Sequence, residues 1–353
     1  MKPHTGKETL LLKYNENHKQ ESIARAAALI KAGELVAFPT ETVYGLGADV
    51  CNEEALAEIF RVKNRPPDNP LIVHISDLSQ CENLAENFPP RAALLAEHFW
   101  PGPLTLILKR SKALSPLVSA SLETVAVRMP SHPAALELIE AAQTSIAAPS
   151  ANISGTVSPT DGAHVMEDLQ GKIAAVLDGG RCTVGLESTV LDITGEKPVL
   201  LRPGSIGAKE LTDILKEKVQ YAAHDLPPDI PSASPGMKYR HYSPRAHLLL
   251  FRGEGTQLKD AMTEMCRNLQ EKGKKVGVLC TVEKEGLFPG AVVECLGAAG
   301  AAEEAAFSLY SALRNLDNRG AVIILAQSFS EDGIGGALMN RLEKAAKEII
   351  HIN

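Results

Sequence analysis

A proline-rich stretch divides the chain into two parts with different patterns. Residues 225–245, DLPPDIPSASPGMKYRHYSPR, show no hydrophobic periodicity. Proline restricts the backbone and removes hydrogen-bond donors, so this stretch indicates an extended, semi-rigid linker. A chain of 353 residues also exceeds what one hydrophobic core usually organises. We therefore predict two domains, residues 1–224 and 246–353, joined by the linker 225–245.

The composition argues against several classes of protein. No stretch is apolar enough to cross a bilayer, and the first twenty residues lack the features of a signal peptide. This predicts a cytoplasmic protein without membrane contact. A formal net charge of -7 argues against a broad basic surface for nucleic acid, although a local basic site stays open. The six cysteines contain no C-x-x-C pair, so neither a zinc ribbon nor a disulfide framework is indicated.

Strands and helices alternate simply after the linker. The strand candidates AHLLLF, KKVGVLC and AVIILAQ are followed by helical patterns around residues 257–271, 301–317 and 335–348. Parallel strands joined by helical crossovers are the expected result. We predict a small Rossmann-like α/β domain. Neither G-x-G-x-x-G nor a P-loop motif occurs there, so nothing in this part identifies a nucleotide site.

Helices and strands also interleave before the linker, where we predict a twisted mixed sheet with helices, again of the α/β class. A helix over residues 21–32 is expected to end at Gly33, and a strand follows in ELVAFPT. Gly45 and Gly47 are expected to allow tight turns near the end of that strand. The strand candidates near 104–110 and 124–130 are close enough in sequence to be neighbours.

The segment KNRPPDNPL, residues 63–71, is the most informative polar motif. Lys63 and Arg65 stand two residues apart in a loop stiffened by three prolines, so both side chains could be directed at one anion. A solvated basic loop is the alternative for a K-x-R pattern alone. The prolines and Asn69 argue against it, because a surface loop without a function seldom needs such rigidity.

A second candidate is APSANISG, residues 148–155, which continues to Ser158 and Thr160. Its hydroxyl, amide and backbone N–H groups could bind phosphate oxygens, with Thr160 capping the next helix. An ordinary turn followed by a cap explains the spacing equally well. Both interpretations therefore remain open.

Other polar residues stand alone at predicted strand ends, and composition does not distinguish them from surface or core residues. They are Thr40 in PTETVYGLG, His74, Arg128, Ser188 and Arg202.

Taken together, the segments resemble the L-threonylcarbamoyl-AMP synthase family, with its YrdC-like domain. The motifs occur in the family's order and span about residues 20–210: PTETVYGLG, K-x-R-P-x-x-x-P-L, FWPGPLTLIL, VAVRMP, APSANISG, LESTVLD and LLRPG. The linker motif SPGMKYRHYSP and the α/β tail are similar to those of the longer, two-domain branch. Seven ordered motifs are much more specific than any single one.

The resemblance implies a reaction in which L-threonine, bicarbonate and ATP form L-threonylcarbamoyl-AMP and pyrophosphate. Lys63 and Arg65 would be the catalytic cations, and Mg²⁺ would be bound through ATP rather than by protein side chains. L-threonine would be surrounded by Thr40, His74, Arg128, the backbone of Ala148, and Ser188. ATP would be surrounded by Lys63, Arg65, Asn69, Thr124, Ser150, Asn152, Ser158 and Arg202.

The resemblance also implies partners. The product is activated, so a downstream threonylcarbamoyl transferase complex would place the group on the adenosine beside the tRNA anticodon. A weak direct contact with tRNA stays open. We hypothesise that the linker, with Tyr239 and His241, closes over the cleft as a lid; a plain spacer is the alternative.

Two other functions would fit parts of the sequence. An RNA-binding module could use a concave sheet with local lysine and arginine, but the overall acidity disfavours it. The carbamoyl-transfer domain of hydrogenase maturation proteins is related, yet those proteins are longer and carry zinc-finger cysteine pairs that this chain lacks.

Overall fold

The computed structural model describes residues 8–222 and 242–352. Within them the chain forms two compact units. The first comprises residues 8–154, 158–183 and 187–222, and the second comprises 155–157, 184–186 and 242–352. The hypothesised lid residues Tyr239 and His241 lie outside the described residues. No helix in the described part of the chain is both long and apolar enough to cross a membrane.

The first unit contains eleven strands and seven α-helices within the described residues. The strands are β1 Leu10–Lys13, β2 Val36–Phe38, β3 Gly45–Asp49, β4 Ile72–His74, β5 Leu104–Lys109, β6 Thr124–Arg128, β7 Ile146–Ala148, β8 Ala175–Asp178, β9 Thr189–Asp192, β10 Val199–Arg202 and β11 Gln220–Tyr221. The helices are α1 Lys19–Lys31, α2 Glu53–Lys63, α3 Cys81–Leu84, α4 Pro90–Phe99, α5 Pro133–Ala142, α6 Gly162–Leu169 and α7 Ala208–Leu215. As predicted, α1 is followed by Gly33 in a left-handed conformation, with φ of 80°.

These strands form one mixed sheet in the order β1-β8-β2-β3-β7-β4-β6-β5-β9-β10-β11. Strands β5 and β6 are antiparallel neighbours, which confirms the prediction for this pair. β4 is parallel to β6 and antiparallel to β7. The mixed pattern brings the end of β4 beside the end of β6, and these two ends carry His74 and Arg128.

The two faces of the sheet are covered differently. One face packs against α2, α4, α6 and α7 through a single large apolar core. The opposite face packs against α1 and α5, where Ile30 and Leu138 meet Phe38 and Ile146. This second core contains residues of β1, β2, β7 and β8. It contains none from β4, β6, β5 and the strands that follow them in the sheet order.

Beyond β7, that second face carries a small apolar group that we call the floor cluster. It consists of Ile72, Ile107, Ala126 and Val190, with Leu201 packed against them. No described helix contributes a residue to it. Because side chains alternate along a strand, His74, Arg128 and Thr105 project from the same face as the floor cluster. Polar side chains rather than a helix therefore adjoin this part of the sheet.

Gly45 and Gly47 do not form the tight turns predicted for them. Both lie inside β3, and neither has a positive φ. The need for glycine at position 47 is instead steric, since a Cβ there would lie 2.7 Å from Ile146 Cγ2 and 2.9 Å from Phe38 Cε1.

Replacing Gly47 with alanine should therefore lower the free energy of unfolding by about 1–3 kcal/mol, because the added methyl group overpacks the core. Urea denaturation measures the effect. Gly195→Ala is the control, since the nearest atom to its added Cβ would be 3.8 Å away and its φ is not positive. Equal stability of the two variants would contradict the steric explanation.

The second unit is a five-stranded parallel sheet with helices, as predicted. Its strands are β12 His247–Arg252, β13 Val276–Cys280, β14 Val292–Cys295, β15 Ile323–Gln327 and β16 Glu348–His351, and its helices are α8 Gly255–Glu271, α9 Ala302–Asn318 and α10 Gly335–Ala345. The strand order is β14-β13-β15-β12-β16, and every neighbouring pair is parallel.

Candidate active site

Arg128, the last residue of β6, is held on three sides. Its Nε donates to the carbonyl oxygen of Gly102 at 3.2 Å, and its Nη1 donates to Thr42 Oγ1 at 2.8 Å. Its Nη2 lies 2.7 Å from Glu41 Oε1. These two atoms form an ion pair, and neither makes a hydrogen bond within the described structure. The guanidinium is therefore fixed in direction, and its charge is balanced inside the protein.

The segment that holds Arg128 is organised by the hydroxyl of Thr40. Thr40 Oγ1 accepts hydrogen bonds from the backbone N–H groups of Thr42 and Val43 at 3.1 and 3.2 Å, and it donates to the carbonyl oxygen of Val43 at 2.7 Å. Ser131 N–H donates to Glu41 Oε2 at 3.2 Å. These bonds fold the chain after β2 into a turn that directs Glu41 and Thr42 toward Arg128.

His74 lies next to Arg128 in the register of β4 and β6, and its ring meets Phe38 edge to face at 5.6 Å between ring centroids. Burial, and secondarily the charge of Arg128, lower the pKa of His74 to about 3. Its Nδ1 is buried and makes no hydrogen bond within the described structure. The site therefore holds a neutral imidazole with an available ring nitrogen.

Replacing His74 with glutamine should make the protein less sensitive to acid. A pKa near 3 in the folded state, against about 6.5 when unfolded, means that the unfolded chain binds the extra proton between these pH values. This group's contribution to stability is thus intact above pH 6.5 and decreases as the pH falls toward 3. In the His74→Gln variant, the free energy of unfolding should depend less on pH, by the contribution of about one proton. Measuring the free energy of unfolding at pH 5 and at pH 7.5 tests this. The exposed His98→Gln is the control, and an unchanged slope in His74→Gln would contradict the assignment.

Arg65 is buried and bonds to its own loop. Its Nε donates to the carbonyl oxygen of Asn69 at 3.1 Å, and its Nη2 donates to that of Pro70 at 2.8 Å. Asn69 is 2% exposed, and its Oδ1 has no hydrogen-bond partner within the described structure. The loop is therefore closed and rigid, as its prolines indicated.

The Lys63 ammonium, which we predicted to be directed with Arg65 at one anion, bonds to backbone carbonyl oxygens. Lys63 is the last residue of α2 and only 1% exposed. Its ammonium group donates to the carbonyl oxygens of Ser150, at 2.5 Å, and Asn152. Burial first, and then the charge of Arg65, lower the pKa of Lys63.

The hydroxyl-rich segment after β7 is closely bonded. Ser150 Oγ donates to Asn152 Oδ1 at 2.6 Å. The cap of the next helix is one residue later than predicted, because Asp161 rather than Thr160 accepts from the N–H of Ala163, at 2.8 Å. A carboxylate accepts from a helix N-terminus more readily than a threonine hydroxyl does.

Ser158 and Ser188 are both held by neighbouring side chains. Ser158 Oγ donates to Glu187 Oε1 at 2.6 Å. Ser188 Oγ lies 2.7 Å from Thr105 Oγ1 and accepts from Arg202 Nη2 at 3.0 Å, while Arg202 Nε donates to the carbonyl oxygen of Ser188 at 3.1 Å. The structure thus joins Ser188, predicted for threonine, to Arg202, predicted for ATP.

The two remaining candidates lie on β6, which contributes Ala126 to the floor cluster, and on the neighbouring β7. Thr124 begins β6 and is half-buried. Ala148 ends β7, opposite Ile72 of β4.

Sequence reasoning missed four residues that hold the predicted ones: Glu41, Thr42, Thr105 and Glu187. Each lies inside a motif already recognised, and the two acids are 5% and 6% exposed. Acidic residues are rarely buried without a partner. An acidic residue within a motif of apolar, hydroxyl and glycine residues is therefore the sequence feature that could have identified Glu41 and Glu187.

Two family models match the chain. Residues 28–204 match the model described as "Telomere recombination", of the Sua5/YciO/YrdC proteins. Residues 206–347 match the model described as "Threonylcarbamoyl-AMP synthase, C-terminal domain". The fold is therefore that of a YrdC-like protein, followed by the C-terminal part that the second model describes. The chain belongs to the Sua5/YrdC family, which confirms the resemblance seen in the sequence motifs.

Relatives share nearly the whole length. The threonylcarbamoyl-AMP synthase of Pyrococcus abyssi is 45% identical, over 96% of this chain and 98% of that protein. The Bacillus subtilis protein of the same name is 47% identical, over 92% of each. The crystal structure of P. abyssi Sua5 complexed with L-threonine has a TM-score of 0.92 at 44% identity, and covers 98% of this chain and 100% of that one.

Proposed function

We propose that this chain synthesises L-threonylcarbamoyl-AMP from L-threonine, bicarbonate and ATP. The observation that carries the proposal is the group of buried polar side chains His74, Arg128 and Ser188 beside the floor cluster, on a face where no described helix joins that cluster. Relatives that bear the name of this activity match both parts of the chain. A close structural neighbour binds L-threonine.

The reaction requires no covalent enzyme intermediate. The amine of threonine combines with bicarbonate, releases water and forms an N-carboxylate. An oxygen of this carboxylate attacks the α-phosphorus of ATP, the bond from that phosphorus to the bridging oxygen breaks, and pyrophosphate leaves. The enzyme is then a nucleotidyltransferase, which acts mainly by positioning the reactants and stabilising the developing negative charge.

In this proposal Arg128 binds the carboxylate of threonine. Gly102 and Thr42 accept from Nε and Nη1, and Glu41 balances the charge, while Nη2 makes no hydrogen bond within the described structure and can donate to the substrate. Neutral His74 offers a ring nitrogen at neutral pH. Thr40, Ser188 and the backbone of Ala148 complete the threonine group.

Four of the proposed ATP contacts lie on the loops that follow α2 and β7: Arg65, Asn69, Ser150 and Asn152. Buried Asn69 Oδ1 can accept a hydrogen bond from an amino or hydroxyl group of the nucleotide, since it has no hydrogen-bond partner among residues 8–222 and 242–352. Arg65 supplies positive charge in a fixed direction. Thr124, Ser158 and Arg202 are the remaining proposed contacts.

ATP would arrive as its magnesium complex, and the metal would neutralise charge on the triphosphate. The product is an activated mixed anhydride, so a threonylcarbamoyl transferase complex would consume it to modify the adenosine beside the tRNA anticodon. A weak contact with tRNA, the lid, and a location in the cytoplasm remain hypotheses of the same proposal.

The test is an incubation of the protein with threonine, bicarbonate and MgATP, followed by mass spectrometry for threonylcarbamoyl-AMP. Pyrophosphate release should require threonine and bicarbonate together. An RNA-binding module would show no such joint requirement. Release of pyrophosphate without threonine, or no adenylate product, would refute the proposal.

A further inference from the structure

Lys63 is fastened to the segment after β7 through both its backbone and its side chain. Its carbonyl oxygen accepts from the N–H of Ser154 at 2.9 Å. Its ammonium donates to the carbonyl oxygens of Ser150, at 2.5 Å, and Asn152. Three bonds thus join the last residue of α2 to a stretch of only five residues, 150–154.

The same stretch is tied to the sheet on its other side. Ala151 N–H donates to the carbonyl oxygen of Tyr44 at 2.8 Å, and Leu46 N–H donates to that of Pro149 at 2.8 Å. These bonds hold the start of the stretch against β3. Among Lys63, Tyr44 and Leu46, only Lys63 bonds to both Ser150 and Asn152, and it does so through its ammonium group.

The carbonyl oxygens of Ser150 and Asn152 are hydrogen-bond acceptors, as phosphate oxygens are. Two acceptors cannot bind each other, and a buried carbonyl oxygen without a donor destabilises the fold. The Lys63 ammonium satisfies both carbonyls. These two bonds hold the backbone of the stretch, while the Ser150 hydroxyl donates to Asn152 Oδ1 and the Asn152 amide donates to the carbonyl oxygen of Ile153.

We propose that Lys63 is a positioning residue that acts through the stretch 150–154, rather than a cation that contacts the triphosphate. The inference rests on the proposed function, because the stretch matters for catalysis only if Ser150 and Asn152 face the nucleotide. Arg65 is then the cation that faces the triphosphate. The two cations of the K-x-R motif thus have different tasks.

The first test measures hydrogen exchange in the protein without ligands. In Lys63→Met, the peptide that covers residues 149–155 should exchange at least tenfold faster than in the unsubstituted protein, because local opening no longer breaks the two ammonium bonds. Arg65→Gln is the matched control and should leave this peptide unchanged. Unchanged exchange in Lys63→Met would overturn the proposal.

The second test compares ATP with AMP by calorimetry. Lys63→Met should weaken the binding of both nucleotides by the same factor, since the damaged stretch serves the nucleotide as a whole. Arg65→Gln should weaken ATP and spare AMP, which lacks the β- and γ-phosphates. If Lys63→Met also spared AMP, Lys63 would be a triphosphate contact and the proposal would fail.

A variant that does not fold and a protein that binds neither nucleotide have different meanings for the proposal. If Lys63→Met does not fold, Lys63→Gln replaces it, because its amide keeps two N–H donors and should restore part of the protection of residues 149–155. If the unsubstituted protein binds neither nucleotide, the proposed function fails. The exchange comparison then still decides whether Lys63 holds the stretch.

Discussion

Replacing Arg65 with alanine should slow pyrophosphate release by about 100- to 1,000-fold, the usual effect of removing one oriented group that stabilises charge in a transition state. Arg65 is 8% exposed and its direction is set by the carbonyl groups of Asn69 and Pro70. Its charge therefore needs no reorganisation as the triphosphate reacts. The rate is measured with saturating threonine, bicarbonate and MgATP.

Arg61→Ala is the matched control for Arg65→Ala. Arg61 lies on α2, four residues before Arg65, but its side chain is half-exposed and pairs with Glu58. Its loss should leave the rate unchanged. Arg65→Lys, which keeps the charge but not the planar fork, should be intermediate. Normal turnover in Arg65→Ala would remove Arg65 from the catalytic group.

Replacing Arg128 with lysine should raise the KM for threonine by about 10- to 100-fold and leave the KM for ATP nearly unchanged. A single ammonium group cannot hold Gly102, Thr42 and Glu41 and also present a planar pair of donors to a carboxylate. Initial rates over a range of threonine concentrations, at fixed MgATP, measure the change.

The half-exposed Arg91, which pairs with Glu217, provides the control Arg91→Lys. This variant should retain both KM values. A threonine KM that is unchanged in Arg128→Lys would refute the assignment of the carboxylate site. An equal rise in both KM values would indicate damage to the fold instead of loss of a threonine contact.

The second unit shows where sequence patterns succeed and fail. The predicted helices correspond to α8, α9 and α10, and three predicted strands correspond to β12, β13 and β15. The edge strands β14 and β16 were missed, and the last helix was extended to residue 348, although α10 ends at Ala345. Both missed strands have four residues and are mostly half-buried or exposed, so their hydrophobic pattern is weak.

At the candidate site, too, the sequence predicted some features and not others. The prolines of residues 66–70 correctly predicted a rigid loop around Arg65. The K-x-R spacing did not reveal that the Lys63 ammonium turns toward Ser150 and Asn152, 87 and 89 residues away in sequence. Similarly, nothing near Arg128 in the sequence predicts its pairing with Glu41.

The sequence by itself determined the family, the mixed α/β architecture and the segments that carry polar groups, because hydrophobic periodicity and ordered motifs are local properties of the chain. Only the tertiary structure decided which groups face one another. Strand register places His74 beside Arg128, and the turn at Thr40 brings Glu41 to the same guanidinium. These pairings depend on contacts between distant segments, and the spacing of residues within one segment does not specify them.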